Sequence, residues 1–461
     1  MNMKKLVSLL LVLALTLSCA AALADVNSAA AVDPETARNI QIQKAGVNEV
    51  PAGYSPTTGR SLADVYAEYI GDNSDYAAES GAWDGMAVNG QYFPILSTHT
   101  GVNGGTGFGA PFYGKAVDIY YEQPKYQPGV SRFVLVYNDV LPTYGGASRS
   151  LRAGHLFIRQ EWNAPMFYMG GTEKDLSNTY HTDINYWISQ FRLSPSWNND
   201  NVDANTRVLL DGTNGGKGFL AYKYRFQKYS DSYNVLWDFA SLRRDYLNGT
   251  REATHALKFG ERALEGDTAE TVYVYFNTGK VYEAHESSEG TTYINSFYSW
   301  DEDEGQYYRY MVTDLANPEN NPIPFTEQRI LNAAVGAPLA NGSATSAGLA
   351  LKGEPVVMDE EDGAITFSNI IVQHIGMRWM GNDAPYPELI GSGNADFFIG
   401  GKHYAGVWNR DSYDERTVFY GADGQEIALN PGRTIIVQLP SFSASFSDAL
   451  TRNDACVLKY E

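Results

Sequence analysis

The chain has 461 residues and a formal net charge of −20, from 54 acidic and 34 basic side chains. This acidic excess argues against nucleic-acid binding, which requires clustered lysine and arginine, and the length predicts two or three domains with sizeable cores. Two cysteines and seven scattered histidines show no metal-ligand spacing, so we expect no metal and no cofactor.

The first 24 residues predict a secretory signal peptide. Two lysines at positions 4 and 5 precede an apolar core at 6–17, and a small-residue exit follows at 22–24. The core is too short to cross a membrane. We expect cleavage after Ala24, which places the mature protein outside the cytoplasm, secreted or on the cell surface, with no transmembrane span.

Cys19 allows an alternative, in which the mature chain is a lipoprotein anchored at that residue. A lipobox has an aliphatic residue three positions before its cysteine, whereas this chain has Thr16 there. We therefore expect a cleaved signal peptide rather than a lipid anchor. Residues 25–50 have no clear apolar period and predict a tether.

Residues 51–266 predict a mixed α/β N-terminal domain. Ser61 can cap a short helix, and residues 92–98 predict a strand that leads into the glycine-rich stretch 101–111. No Lys-Ser/Thr pair follows that stretch, so it predicts an exposed loop rather than a phosphate-binding loop.

The central stretch of this domain predicts two paired strands and then a helix. Residues 117–122 and 131–137 are rich in β-branched and aromatic side chains, and the segment 124–129 between them has the prolines and glycine of a turn. After Gly145-Gly146, residues 151–158 have apolar side chains at roughly helical spacing.

Five polar residues stand at the ends of these elements, namely Glu122, Arg132, Arg149, Ser150 and Arg152. We expect them to converge on one edge of a cleft. Two of the arginines are three positions apart, which places them on one helical face beside a glycine pair with exposed backbone donors. Such a cluster can bind a carboxylate, a phosphate or a uronate.

Two other interpretations of these residues remain open. In the structural one, Arg132 forms a salt bridge with Glu122 or Asp118. In the catalytic one, Glu122 is one of a carboxylate pair, but Asp118 would lie about 13 Å away along the strand, too far for glycoside hydrolysis. Ser150 has no histidine at a motif spacing.

The rest of the chain predicts a helix, a hairpin and then a β-rich C-terminal domain. We predict an amphipathic helix at 174–191 and a hairpin of residues 207–210 with 219–226. A domain boundary near Gly266 would begin the C-terminal domain, 267–461, with an insertion at about 312–354 that is rich in Asn, Pro, Ala and Gly.

Turn signals are clear in this second domain. Gly400-Gly401 and Asp423-Gly424 predict hairpin turns, because these residues tolerate positive φ. The acidic runs 301–304 and 359–362 lack the alternating spacing of a calcium loop and predict solvated turns.

Several short motifs resemble those of the YerB-like family, a group of predicted bacterial lipoproteins with a domain of unknown function, number 3048. The matching stretches are 118–122, 129–133, 146–152 and 167–172 in the N-terminal region, and 369–373, 391–393, 406–408 and 423–434 in the C-terminal region. Ala147 and Tyr168 stand where the family tends to have proline and histidine.

Together the patterns and the resemblance predict an α+β protein: a mixed α/β N-terminal domain followed by a mostly antiparallel β C-terminal domain. We expect a cell-envelope protein that binds an anionic glycan, a peptidoglycan fragment or a protein partner. The alternative is an envelope enzyme that hydrolyses or modifies cell-wall glycan or peptide.

Overall fold

The structure is a computed structural model. It describes residues 40–46, 48, 50–51, 53–65, 94–103, 117–124, 130–137, 143–147, 150–164, 166–168, 171–172, 180–193, 209–211, 226–228, 234–238, 256–275, 285–287, 290–292, 296–312, 353–355, 365–379, 385–442 and 457–460. These residues form a predominantly β protein with a mixed sheet and few helices.

The helices are α1 (Ala153–Trp162) and α2 (Ile184–Gln190). The strands are β1 (Ile95–Asn103), β2 (Val117–Pro124), β3 (Val130–Tyr137), β4 (Thr143–Ala147), β5 (Met166–Tyr168), β6 (Leu209–Asp211), β7 (Phe226–Lys228), β8 (Asn234–Asp238), β9 (Asp267–Thr268), β10 (Thr271–Tyr275), β11 (His285–Ser287), β12 (Gly290–Thr292), β13 (Ser296–Asp301), β14 (Gln306–Val312), β15 (Gly353–Pro355), β16 (Thr366–Phe367), β17 (Asn369–Trp379), β18 (Pro385–Glu388), β19 (Gly391–Ile399), β20 (Lys402–Arg410), β21 (Val418–Gly421), β22 (Thr434–Phe442) and β23 (Val457–Tyr460).

The largest sheet in the described part of the chain joins strands from both sides of the predicted domain boundary. Its order is β21-β20-β19-β17-β22-β2-β3-β1-β5-β6. β22 is parallel to both β17 and β2, whereas β17–β19, β19–β20 and β2–β3 are antiparallel. The C-terminal part is therefore mostly antiparallel, as predicted. The division into two domains at Gly266 stays a prediction, and the two regions share this sheet.

One face of this sheet packs against the helices. Because side chains alternate along a strand, Ile119 and Tyr121 of β2 point to this face, and Leu156 and Phe157 of α1 belong to the same buried cluster. The cluster contains residues from both sides of Gly266, such as Ile436 of β22. The hydrophobic core is thus continuous across the β2–β22 junction.

The opposite face is covered by a second sheet, in the order β15-β14-β13-β10-β23. Tyr120 of β2 makes edge-to-face contacts with Phe133 of β3 and Phe367 of β16, with ring centroids 5.5 and 5.2 Å apart. β16 pairs with β14, which places these rings between the two sheets. The described chain therefore has three layers: helices, a large mixed sheet and a smaller antiparallel sheet.

Several local predictions are confirmed. β2 and β3 pair in an antiparallel hairpin. Gly400 and Gly401 have φ values of 64° and 70° in the turn between β19 and β20, and Gly424 has a φ of 75°. Residues 302–304 are exposed in the turn between β13 and β14, as expected for a solvated acidic run.

Other local predictions were wrong. The second helix begins at Ile184, because the Asp183 carboxylate accepts a hydrogen bond from the Asn185 N–H at 2.8 Å and caps it there. The predicted hairpin of residues 207–210 with 219–226 lies mostly outside the described residues and stays a prediction. In the described part of the chain, β6 pairs in parallel with β5, and β7 pairs with β8. β1 also continues to Asn103, into the predicted loop.

Residues 40–46, in the second half of the predicted tether, contact the sheet. The Gln43 N–H donates to the Gly424 carbonyl at 2.9 Å, and Ile40, Ile42 and Ala45 pack on a small cluster that includes Tyr420. The tether prediction therefore applies to 25–39, which, like the signal peptide and most of the 312–354 insertion, lies outside the described residues. No described helix is long and apolar enough to cross a membrane.

Candidate functional site

Glu122 lies on the face of the sheet that meets the second sheet, away from the helices. Its side chain is buried, accepts a hydrogen bond from the Ser131 hydroxyl at 2.5 Å, and forms an ion pair with Arg309 of β14 at 3.2 Å. The predicted salt bridge of Arg132 with Glu122 was therefore wrong, because successive residues of β3 point to opposite faces. The other predicted partner, Asp118, accepts a hydrogen bond from the Thr57 hydroxyl.

Arg132 and Arg152 both lie near the start of α1. Arg132 is in register with Gln123 of β2, whose side chain lies under the first turn of α1. Arg152 occupies the N-cap position of α1. The charges of both guanidinium groups act on His155, a buried residue of that first turn. The convergence of the five residues on one cleft edge stays a prediction.

His155 is the residue on which this arrangement centres. Its Nδ1 accepts a hydrogen bond from the Arg152 backbone N–H at 3.2 Å, which assigns the proton of the neutral ring to Nε2. Burial, and then the positive charges of Arg152 and Arg132, hold the pKa of His155 well below its usual range. The imidazole is therefore neutral at physiological pH, although it was not among the predicted site residues.

The remaining two predicted residues are less informative. Ser150 is half-buried and precedes the bridge between Leu151 and Gly171. Arg149 lies outside the described residues. Whether the five residues form one binding cleft stays a prediction. The described arrangement is a buried, neutral imidazole in the first turn of α1, bonded to the backbone N–H of Arg152.

A buried carboxylate between two imidazoles is a polar cluster that sequence spacing did not reveal. Asp396 of β19 is fully buried and accepts from His374 Nε2 at 2.6 Å and His403 Nε2 at 2.7 Å. Burial alone would raise the pKa of Asp396, but the two hydrogen bonds outweigh it, and the pKa lies below its usual value. The Nε2 atom of each imidazole is thus engaged by the carboxylate. Among the described residues, no group of three acidic, His or Cys side chains is arranged to bind a metal ion.

The described residues also form an open pocket of about 320 Å³ next to the segment that follows the tether. Its walls are apolar or aromatic: Val50, Pro51, Tyr54, Leu257, Phe259 and Pro431. Tyr54 is 46% exposed, the highest value for a large hydrophobic side chain in the described chain. The volume is at the lower end of the range for small-molecule sites, about 300–1,000 Å³.

Three distant segments build this pocket. The Leu257 N–H donates to the Pro56 carbonyl at 3.0 Å, and the Leu429 N–H donates to the Lys258 carbonyl at 2.8 Å. Residues 256–260 therefore lie between the 53–60 turn and the 429–431 segment. The sequence did not reveal the pocket because each of the three segments is short and has no functional motif by itself.

The polar groups at this pocket are an amide, a hydroxyl and an ammonium. Asn48 Nδ2 donates to the Ala256 carbonyl at 3.0 Å, and the Ser55 hydroxyl accepts from the N–H groups of Thr57 and Thr58, both at 3.2 Å. Lys258 is exposed, and its Nζ donates to the Glu426 carbonyl at 3.1 Å. Among the described residues that line the pocket, none has a carboxylate, an imidazole or a thiol.

Comparisons with known proteins agree with the resemblance found in the sequence. Residues 349–436 match the family model described as the C-terminal domain of a protein of unknown function, DUF3048. The crystal structure of the YerB protein from Bacillus subtilis matches with a TM-score of 0.51 and 13% identity, covering 88% of this chain and 99% of that chain. At this identity the likeness concerns the fold. The comparison with curated proteins gave no match. The resemblance to the YerB-like family is thus confirmed in the C-terminal domain and in the fold.

Proposed function

We propose, from the premise that this chain is a YerB-like protein with a DUF3048 C-terminal domain, that it is an extracytoplasmic binding protein. Its ligand is a component of the cell envelope, held in the pocket around Tyr54 and Phe259. The open, mainly apolar pocket with its exposed tyrosine is the observation that carries this proposal.

The lining of the pocket supports binding over catalysis. General acid–base chemistry needs a titratable side chain within hydrogen-bond reach of the reacting atoms. The described residues of the pocket include no carboxylate or imidazole, and the Ser55 hydroxyl is already bonded to two backbone N–H groups and to Thr57. Aromatic and proline walls provide apolar contact area, and an open mouth admits part of a larger molecule.

The enzyme alternative finds less support in the carboxylates that sequence analysis singled out. Glu122 is 1% exposed and ion-paired with Arg309, so a glycan or peptide bond cannot reach it without opening the two sheets. Asp396 is buried and holds two imidazoles. These groups have the contacts of structural ion pairs, which require partners when they are buried.

Co-sedimentation with purified bacterial cell walls tests the proposal. The mature chain should bind, and Tyr54→Ala should weaken binding about tenfold or more, as expected for an aromatic residue that dominates a contact. Ile390→Ala is the matched control, because Ile390 is the other large exposed apolar side chain of the described chain and lies outside the pocket. Equal binding by wild type and Tyr54→Ala, or no binding by either, would contradict the proposal.

A further inference from the structure

Among the described residues that line the pocket of the proposed function, Lys258 alone has a charged side chain, and no described carboxylate pairs with it. Lys258 Nζ donates to the backbone carbonyl of Glu426, not to its carboxylate. The Glu426 carboxylate is instead occupied by Arg416, at 2.5 and 2.9 Å, and by Asn48 Nδ2 at 2.9 Å. An ammonium group has three donors. Lys258, which lines the pocket, therefore has N–H donors available for a ligand besides the one bonded to Glu426.

The chain has a net charge of −20, with 54 acidic and 34 basic side chains, and yet no described carboxylate pairs with Lys258. Lys258 contacts the backbone carbonyl of Glu426, whose carboxylate is bound to Arg416. A cation held beside an apolar pocket attracts an anionic group of a ligand, and the apolar wall lowers the local dielectric and strengthens that attraction.

The aromatic wall beside Lys258 is fixed in place. A Cβ atom on Gly59 would lie 2.4 Å from Cγ of Phe259, so the backbone of Gly59 packs directly on that ring. At the next residue of the chain, a Cβ atom on Gly260 would meet nothing within 4 Å, so the space beside that residue is open. Phe259 therefore offers a preformed flat surface, and Tyr54 adds an exposed ring with a polar tip.

We propose that the ligand is an acidic sugar, and that Lys258 is the residue that selects it. One face of a pyranose ring carries mainly C–H groups, which suit the rings of Tyr54 and Phe259, and its carboxylate would pair with the Lys258 ammonium. A pocket of about 320 Å³ with an open mouth accommodates one sugar unit of a longer glycan. This inference rests on the proposed function and adds the chemical class of its ligand.

Titration calorimetry of the mature chain with two matched probes tests the inference. Methyl glucuronide and methyl glucoside differ only in the carboxylate, so the glucuronide should bind about tenfold more tightly, the effect of one charge-assisted contact. Lys258→Gln should lower glucuronide affinity to the glucoside level and leave glucoside binding unchanged, whereas Lys258→Arg should keep the preference. Lys402→Gln, at an exposed lysine of β20 outside the pocket, should behave as wild type.

Three results would overturn the inference: equal affinity for both probes, no binding of either, or a glucuronide preference that survives Lys258→Gln. A short peptide with a free C-terminal carboxylate is the third probe, and its binding in place of the sugars would assign the site to peptide. The proposed function is judged separately, because cell-wall binding that depends on Tyr54 but not on Lys258 would retain it and reject only the acidic sugar.

Discussion

At the scale of single residues, several buried polar side chains are held by specific partners from distant segments. Glu122 pairs with Arg309, Asp396 with two histidines, and the Gln123, Gln438 and Gln373 side chains form a chain of hydrogen bonds across β2, β22 and β17. Each such group would cost about 1–3 kcal/mol if it were left without a partner. These contacts therefore fix which strands are neighbours.

His155 gives a prediction for the pH dependence of stability. Its folded-state pKa is below the unfolded value of about 6.5, so the unfolded chain takes up the proton first as the pH falls. The stabilisation by the neutral ring is complete above about pH 6.5 and is lost as the pH falls towards the folded pKa. Between these values, one site changes the free energy of unfolding by about 1.4 kcal/mol per pH unit.

Urea unfolding of wild type and His155→Gln between pH 7.5 and 5 measures this contribution. In that range, the free energy of unfolding of the variant should change less steeply with pH, and the difference in slope should correspond to about one proton. Gln160→Ala, a non-titrating change in the same helix, should shift stability without changing the slope. Parallel curves for wild type and His155→Gln would show that the imidazole titrates equally in both states and would reject the prediction.

At the scale of elements, α1 lies close to the sheet because its second residue has no side chain. A Cβ atom on Gly154 would lie 2.5 Å from Cγ of Pro387 in β18 and 2.9 Å from Oε1 of Gln123 in β2. This contact brings the first turn of α1 onto Gln123, which is in register with Arg132 of the neighbouring strand β3. The position of this turn therefore depends on the distance between helix and sheet as well as on its own sequence.

Gly154→Ala should therefore destabilise the protein even though alanine favours helix by about 1 kcal/mol. The methyl group must displace a proline ring and a buried glutamine, and overpacking of this kind costs about 1–3 kcal/mol. Gly46→Ala is the control, since a Cβ atom there would meet nothing within 4 Å. Thermal unfolding should show a lower Tm for Gly154→Ala only; an increase would mean that the helix moves away at no cost.

At the scale of the whole molecule, the parallel pairing of β2 with β22 joins the two regions that sequence composition separated at Gly266. Ile119, Tyr120, Tyr121 and Glu122 are in register with residues 434–437. Both strands are buried in the interior of the sheet, with fully buried side chains on each. Separation at Gly266 would expose two apolar strand edges.

Expression of residues 51–266 and 267–461 as separate fragments tests this joint interior. Neither fragment should show a cooperative unfolding transition alone, whereas co-expressed fragments should form a complex that does. Hydrogen–deuterium exchange should find β2 and β22 protected only in the complex. A cooperative transition of the isolated 51–266 fragment would instead favour two independent domains.

Features that depend on neighbouring residues could be predicted from the sequence. The hairpin of β2 and β3 followed from two apolar runs around a turn, the glycine turns from the need for positive φ, and the family resemblance from short motifs. In the candidate site, the same signals placed Arg132 near the beginning of a strand and Arg152 at the start of a helix, where β3 and α1 have them.

Which distant residues meet depends on the tertiary structure and could not be predicted from the sequence. Glu122 and Arg309 are 187 positions apart, and the pocket joins residues near 54, 259 and 431. Local periodicity states which face of a strand is buried, but it carries no information on which strand lies alongside or which segment covers that face. That choice depends on the combined burial and hydrogen bonding of many segments, which is defined only when the whole chain is folded.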